Sequence, residues 1–260
     1  MATRAQGTTP TRVRGHPPRA GAAVPAAGAG EVVREARGAR RRRETRARLL
    51  DAALKLMADR GMDGVAINEI TEAADVGFGS FYNHFESKEA IHRALTDLVF
   101  EEFANALDRA LAGVTDPAEI IAASVRHTLY RARRDRTWAL FLLRESLSSR
   151  MLTRGLGLHL LRDIEKGIGA GRFKAEDPLM AFMGLAGSVL AALSIEVQYG
   201  EAADTPLPPE LRSAVGLPSP EFPERAATTM LRFLGVPPAE ARRVARRPLA
   251  ELETPQTRGD

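Results

Sequence analysis

Residues 178–195, PLMAFMGLAGSVLAALSI, contain no charged side chain. As a helix, eighteen such residues are long enough to cross a bilayer. Gly184, Gly187, Ser188 and Ser194 lie within the run, and no second segment of this kind exists in the chain. The segment is therefore read as a helix covered on all sides, inside the protein or inside a dimer, with small residues that let a partner helix approach closely. Such a helix needs other helices or a sheet around it. No run of alternating strand residues supplies a sheet, whereas several segments repeat apolar residues at helical spacing. Leu50, Ala53, Leu54 and Met57 form one such stripe, and Ile91, Leu95, Leu98, Val99 and Ala106 form another. The fold class expected is all-α.

The helices are bounded by their caps. A first helix over about residues 42–60 ends at Gly61, a natural C′ residue. Asn68 is expected to cap a second, ending near Asp75 with Glu69 and Glu72 in its first turns. A third covers about 78–85, and Ser87 caps a fourth over 88–111. Pro117 and Pro178 suit first helical positions, with further helices expected over 117–134, 137–148, 151–166 and 178–199. Glycines at 167–171 read as helix termination rather than as a phosphate loop, since no strand precedes them and no Gly-Lys-Ser/Thr follows. Residues 201–220 read as a Pro-rich link, followed by helices over about 222–234 and 238–247.

Charge is uneven along this chain. The net charge is +4, but residues 1–43 carry +8 and the remainder −4. A basic arm ahead of a folded domain points to a polyanion. The arm's Gly- and Pro-rich composition predicts disorder over residues 1–35. There is no cysteine, which excludes disulfides, thiolate zinc sites and a cysteine nucleophile and fits a reducing cytoplasm. No secretory apolar region is present at the N-terminus. No paired HExxH or Gly-x-Ser-x-Gly elbow appears, and Glu101 and Glu102 are adjacent and so diverge on a helix. No enzyme, metal or cofactor is expected.

Two short helices joined by a turn at 75–77 have the proportions of a helix-turn-helix. Asp75 tolerates the left-handed conformation, and Gly77 meets no steric barrier to either hand. On the second helix Phe81 and Phe85 share one face, which belongs inward. Gly77, Phe78, Gly79, Ser80, Tyr82, Asn83 and His84 are then outward or at the edge. Tyr82 and His84 can donate to phosphates, Ser80 and Asn83 can read base edges, and Gly79 lets the backbone approach a duplex. Lys88 adds positive charge at the next helix start. Asn68 and the arginines Arg41, Arg42 and Arg43 complete the candidate nucleic-acid site.

The stretch INEITEAADVGFGSFYNHFESKEAI, residues 67–91, resembles the DNA-binding signature of TetR-family transcriptional regulators, within a match covering about residues 44–105. The resemblance implies phosphate contacts at Tyr82, His84 and Lys88 and core positions at Phe81 and Phe85. Asn68 stands where Thr is common, Asp75 where the turn often has Gly, and Gly77 and Phe78 where Ser and a polar or basic residue are frequent. Phe78 can contribute only an apolar contact, for example to a thymine methyl.

The resemblance implies a homodimer that binds a palindromic double-stranded DNA operator as a repressor and is released by a small molecule. An activator of the same family and a non-specific architectural DNA binder are the alternatives. The domains expected are a disordered basic arm at 1–39, the helix-turn-helix domain at 40–105, a helical ligand-binding and dimerisation domain at 106–247 and a tail at 248–260. The last two main helices pair across the two-fold axis on this reading, which replaces the membrane reading of 178–195. Trp138, Phe141, Leu142, Met183 and Leu190 are the candidate pocket residues, favouring a hydrophobic or amphipathic effector. Arg126, His127, Tyr130, Arg144, His159 and Glu196 are candidate polar contacts.

Overall fold

The computed structural model describes residues 1–3, 27–146, 155–200, 208–217 and 219–252. Among them there are helices and turns and no strand. In chain order the helices are α1 (Ala27–Arg60), α2 (Ile67–Ala73), α3 (Phe78–Tyr82), α4 (Lys88–Thr96), α5 (Glu102–Ala110), α6 (Pro117–Arg134), α7 (Arg136–Glu145), α8 (Gly155–Gly169), α9 (Pro178–Tyr199), α10 (Pro209–Val215), α11 (Phe222–Phe233) and α12 (Pro238–Ala245). A π-helical segment, Asp97–Glu101, joins α4 to α5.

Local chemistry explains most boundaries. Gly61 has φ +75°, and its N–H donates to Met57 O at 2.9 Å, which closes α1. Ser87 Oγ accepts from Ala90 N–H at 3.2 Å at the start of α4. Asp116 accepts from Ala118 N–H at 3.0 Å, with Pro117 at the first position of α6. Asp177 accepts from Leu179 and Met180 N–H at 2.9 and 3.1 Å ahead of α9. Each such cap contributes about 1 kcal/mol. After α8 the chain turns through Gly171 at φ +67°, and Arg172 N–H donates to Gly167 O at 2.8 Å. Gly167 is required there, because a Cβ would lie 2.0 Å from the Phe173 ring.

Three expectations need correction. The first helix begins at Ala27, not near Arg42, because residues 31–43 are mostly Ala, Arg, Glu and Val, with good helix propensity in the first three types. Asn68 is not a cap; it lies inside the first turn of α2, whose N-cap is Ala66. Glu69 takes over, its carboxylate accepting from Ala66 N–H at 2.8 Å while Arg60 donates to it at 2.7 Å. Both bonds hold the Glu69 carboxyl below the usual range. The link expected over 201–220 contains α10, opened by Pro209 and closed by Gly216 at φ +63°. The arm at 4–26, residues 147–154, residues 201–207 and the tail at 253–260 lie outside the described residues.

In the N-terminal part, Leu49, Ala53 and Met57 of α1 pack with Ile70, Phe81, Phe85, Ile91 and Leu95 in one buried cluster. In the larger C-terminal part α6 is central: α8, α9, α11 and α12 all pack against it. α9 is covered on one side only. Phe182, Leu185 and Leu193 are buried, whereas Met180 and Met183 are more than half exposed. By length and composition α9 is the one helix among the described residues that could span a membrane. The chain by itself leaves its outer apolar side uncovered.

Candidate nucleic-acid interface and cavity

The α2–turn–α3 unit is built around one left-handed residue. Asp75 has φ +51°, the only positive φ at a non-glycine position among the described residues. Val76 N–H then donates to Thr71 O at 3.0 Å, reversing the chain. Gly77 does not use its freedom here: its φ is −66°. Phe81 is fully buried and Phe85 nearly so, their rings 5.8 Å apart. Phe78, Gly79, Tyr82 and Asn83 are exposed, and Ser80 and His84 are half-buried.

α1 flanks this surface with arginines. Arg42 donates to Asn83 O at 3.2 Å, Arg46 lies over the Phe85 ring at 5.2 Å, and Arg48 donates to Asp75 O at 3.3 Å. Arg42 and Arg46 are four apart and share a face, a spacing that could have singled out Arg46 from the sequence. Arg41 and Arg43 are exposed on α1. Partial burial, reinforced by Arg42 and Arg46, pushes the His84 imidazole below its ordinary pKa, so the ring presents a neutral N–H. Lys88 is half-buried, and its ammonium donates to Val65 O at 3.1 Å. Asn68 is exposed on α2, with its carbonyl accepting from the Thr71 hydroxyl at 2.8 Å.

A cavity of about 180 Å³ lies among α4, the π segment, α5, α6, α7, α8 and α9. Leu142 and Leu190 line it; Trp138, Phe141 and Met183 do not. Trp138 is buried core, edge-on to Phe103 at 4.9 Å and beneath the Arg131 guanidinium at 5.0 Å. Phe141 is fully buried, and Met183 is exposed. Bulk drew attention to these side chains, but bulk fills cores before it lines cavities. Phe100, Leu107, Val125 and Phe182 contribute apolar wall, brought together from helices far apart in sequence.

Of the polar candidates only His159 reaches the cavity. Its Nδ1 lies 3.2 Å from Asp108 Oδ2 without a well-directed hydrogen bond. Arg162 grips Asp108 through two bonds of 3.1 and 2.9 Å, which holds that carboxyl below its usual range. The other candidates lie elsewhere. Arg126 and Tyr130 both donate to Glu224 Oε1, at 3.0 and 2.7 Å. Arg133 donates to both Glu196 oxygens and to Ser219 and Pro220 carbonyls. His127 is buried, and desolvation with help from Arg126 and Arg134 pushes its pKa down to about 4.

The last turn of α7 joins the two regions. Arg144 donates to Ala58 O and Asp59 O at 3.3 and 2.7 Å, capping the C-terminus of α1. Glu145, which lines the cavity, lies 3.2 Å from His92 of α4. Nothing local in the sequence marked Glu145 or His92, and Arg144 stood out only as a candidate ligand contact.

The sequence matches the family described as "Bacterial regulatory proteins, tetR family" over residues 49–95 and "Tetracyclin repressor-like, C-terminal domain" over residues 116–247. The second match alone spans half of the chain. This is a TetR-family transcriptional regulator. Crystal structures of RolR resemble it over about four-fifths of the chain. RolR with resorcinol is 37% identical, with a TM-score of 0.57, covering 83% of this chain and 100% of that one. The HTH-type transcriptional repressor DhaR of Mycobacterium sp. (strain GP1) is 38% identical over 30% of this chain and 38% of its own. The repressor NemR of Escherichia coli (strain K12) is 36% identical over 26% of this chain and 41% of its own. The TetR-family chain thus spans about two-fifths of the length of these curated relatives.

Proposed function

We propose that this regulator is a repressor that binds a palindromic operator as a homodimer and releases it when a compact, uncharged, hydroxyl-bearing aromatic molecule enters the cavity. The DNA-binding half rests on one observation above all. α3 turns Phe81 into the core and leaves Tyr82, Asn83 and the edge of His84 outward, beside Arg42 and Arg46. Side chains of this kind contact phosphates and base edges. Lys88, Gly77, Gly79, Ser80, Asn68, Arg41 and Arg43 are assigned supporting contacts on the same reading. The half-covered α9 supports dimerisation, because Met180 and Met183 would be covered by a second copy.

The ligand class follows from size and charge. A cavity of about 150 Å³ accommodates benzene, so about 180 Å³ suits one ring with small substituents. Among the described residues Asp97, Glu101, Asp108, Glu145 and Asp163 line it, with Arg93 the one arginine or lysine in the wall and Arg162 pairing with Asp108 and Asp163 from outside it; the excess of carboxylates disfavours an anion. His159 and Asp108 offer polar partners to a hydroxyl. That RolR was crystallised with resorcinol agrees with this class. Effector binding is transmitted through the end of α7, where Glu145 and Arg144 connect the cavity to α4 and α1.

Fluorescence anisotropy on DNA from upstream of the protein's own gene, against random DNA at equal salt, tests the first half. A preference of about a thousandfold is expected. Equal binding to both would favour an architectural binder. Titrating that complex with resorcinol, catechol, phenol and benzoate tests the second half: the neutral phenols should release DNA and benzoate should not.

A further inference from the structure

Phe78 opens α3 and is 53% exposed, and Tyr82, one turn on, is 52% exposed. Their rings meet edge to face at 5.6 Å and 69°. Tyr82 in turn lies edge-on to the buried Phe81, at 5.4 Å and 79°. The outward phenyl ring is thus braced against the core through Tyr82. Gly77 and Gly79 flank it, and a Cβ added at either would meet nothing within 4 Å. Neither glycine is needed by the fold at close quarters. Their effect is to clear the chain on both sides of one apolar ring.

A phenyl ring has no donor or acceptor for a base edge. The major groove offers it one apolar group, the 5-methyl of thymine. We infer that Phe78 is a specificity-determining residue that selects a thymine in each half-site by contact with the 5-methyl group, with Tyr82 fixing its position. This rests on the sequence-specific DNA-binding reading above. Hydrogen-bond readout then falls to Ser80 and Asn83.

The test is selection of sites from a random double-stranded DNA library by the full chain, with wild type and Phe78→Ala in parallel. Wild type is expected to enrich a palindrome with a fixed thymine in each half. Phe78→Ala should keep the other positions and lose that one. On the selected site, replacing that thymine by deoxyuridine should weaken wild type about fourfold per half-site, or about fifteenfold for both, and leave Phe78→Ala unaffected. 5-Methylcytosine at the same place should bind better than cytosine. A palindrome at which uracil matches thymine everywhere would overturn this assignment while leaving the regulator intact. The uracil arm uses wild-type protein alone, so it stands even if the variant misfolds. Selection that enriches no motif would overturn both the assignment and the regulator reading.

Discussion

Replacing Arg144 with alanine removes the link between the cavity wall and the end of α1. The side chain makes two charge-assisted bonds, to Asp59 O at 2.7 Å and Ala58 O at 3.3 Å. In a dry site each would contribute about 1.5–3 kcal/mol. Arg144 is exposed, and its partners are terminal carbonyls that water can also satisfy, so about 1–2 kcal/mol for the pair is the appropriate figure. Thermal melting should therefore fall by about 2–8 °C. The same quantity bounds what the link can transmit. If effector binding acts through it, Arg144→Ala should bind effector as wild type does, yet the loss of DNA affinity on effector binding should shrink about 5- to 30-fold. Calorimetry with the most potent compound of the phenol panel measures the first quantity, and anisotropy with and without that compound measures the second. Arg144→Lys, which keeps the charge but not the fork, should fall between. An unchanged DNA-release factor in Arg144→Ala, with effector affinity also unchanged, would refute transmission through Arg144.

Other outcomes follow from the same structure. Glu196→Ala removes the carboxylate paired with a mostly buried guanidinium, while Arg133 keeps the Ser219 and Pro220 carbonyls; the cost should sit at the low end for a broken buried pair, about 3 kcal/mol, and lower melting by about 6–12 °C. Gly79→Ala should raise stability by about 0.5–1 kcal/mol, as alanine does in a helix, since a Cβ there meets nothing in the protein, and should lower operator affinity if the backbone approaches the duplex at Gly79 as proposed above. His127 has a folded pKa of about 4 against an ordinary 6.5, so the unfolded chain binds more protons between those values. Stability is complete above about pH 6.5 and declines as pH falls towards 4, and His127→Gln should flatten that slope in pH-dependent melts. His84 is held neutral by burial and by Arg42 and Arg46, whereas a nearby phosphate favours the charged ring. Operator affinity should therefore rise as pH falls from above neutrality, and His84→Gln should remove that rise.

What the sequence disclosed was governed by local chemistry. Gly61, Asp75, Ser87, Pro117 and Pro178 each act within a turn or two of themselves, so their roles could be read without a fold. The inward pair Phe81 and Phe85 follows from spacing alone. Asn68 misled because two capping solutions competed, and a Glu three residues beyond Ala66 satisfied the N-terminus first. The cavity was hidden for another reason. Its wall draws on six helices and the π segment, and no periodicity distinguishes a side chain facing empty space from one facing a neighbour. Leu142 and Phe141 are adjacent and both buried, yet only Leu142 lines the cavity. Exposure of one flank of α9 was likewise invisible in a run apolar on every side.

The π segment bears on how the long rod from α4 to α5 keeps its bearing. Ile91, Leu95, Val99, Phe103 and Leu107 are all buried, and each follows the last by four residues. In a regular helix every such step advances about 40° beyond a full turn, so five residues would wind well around the axis. The wider turn at Asp97–Glu101 takes up part of that excess midway, allowing one stripe to serve the DNA-binding core at one end and the cavity wall at the other. The chain thus carries a phase correction where its two tasks meet. Removing a single residue there would rotate one end against the other by about 100°, leaving both ends helical but aimed apart.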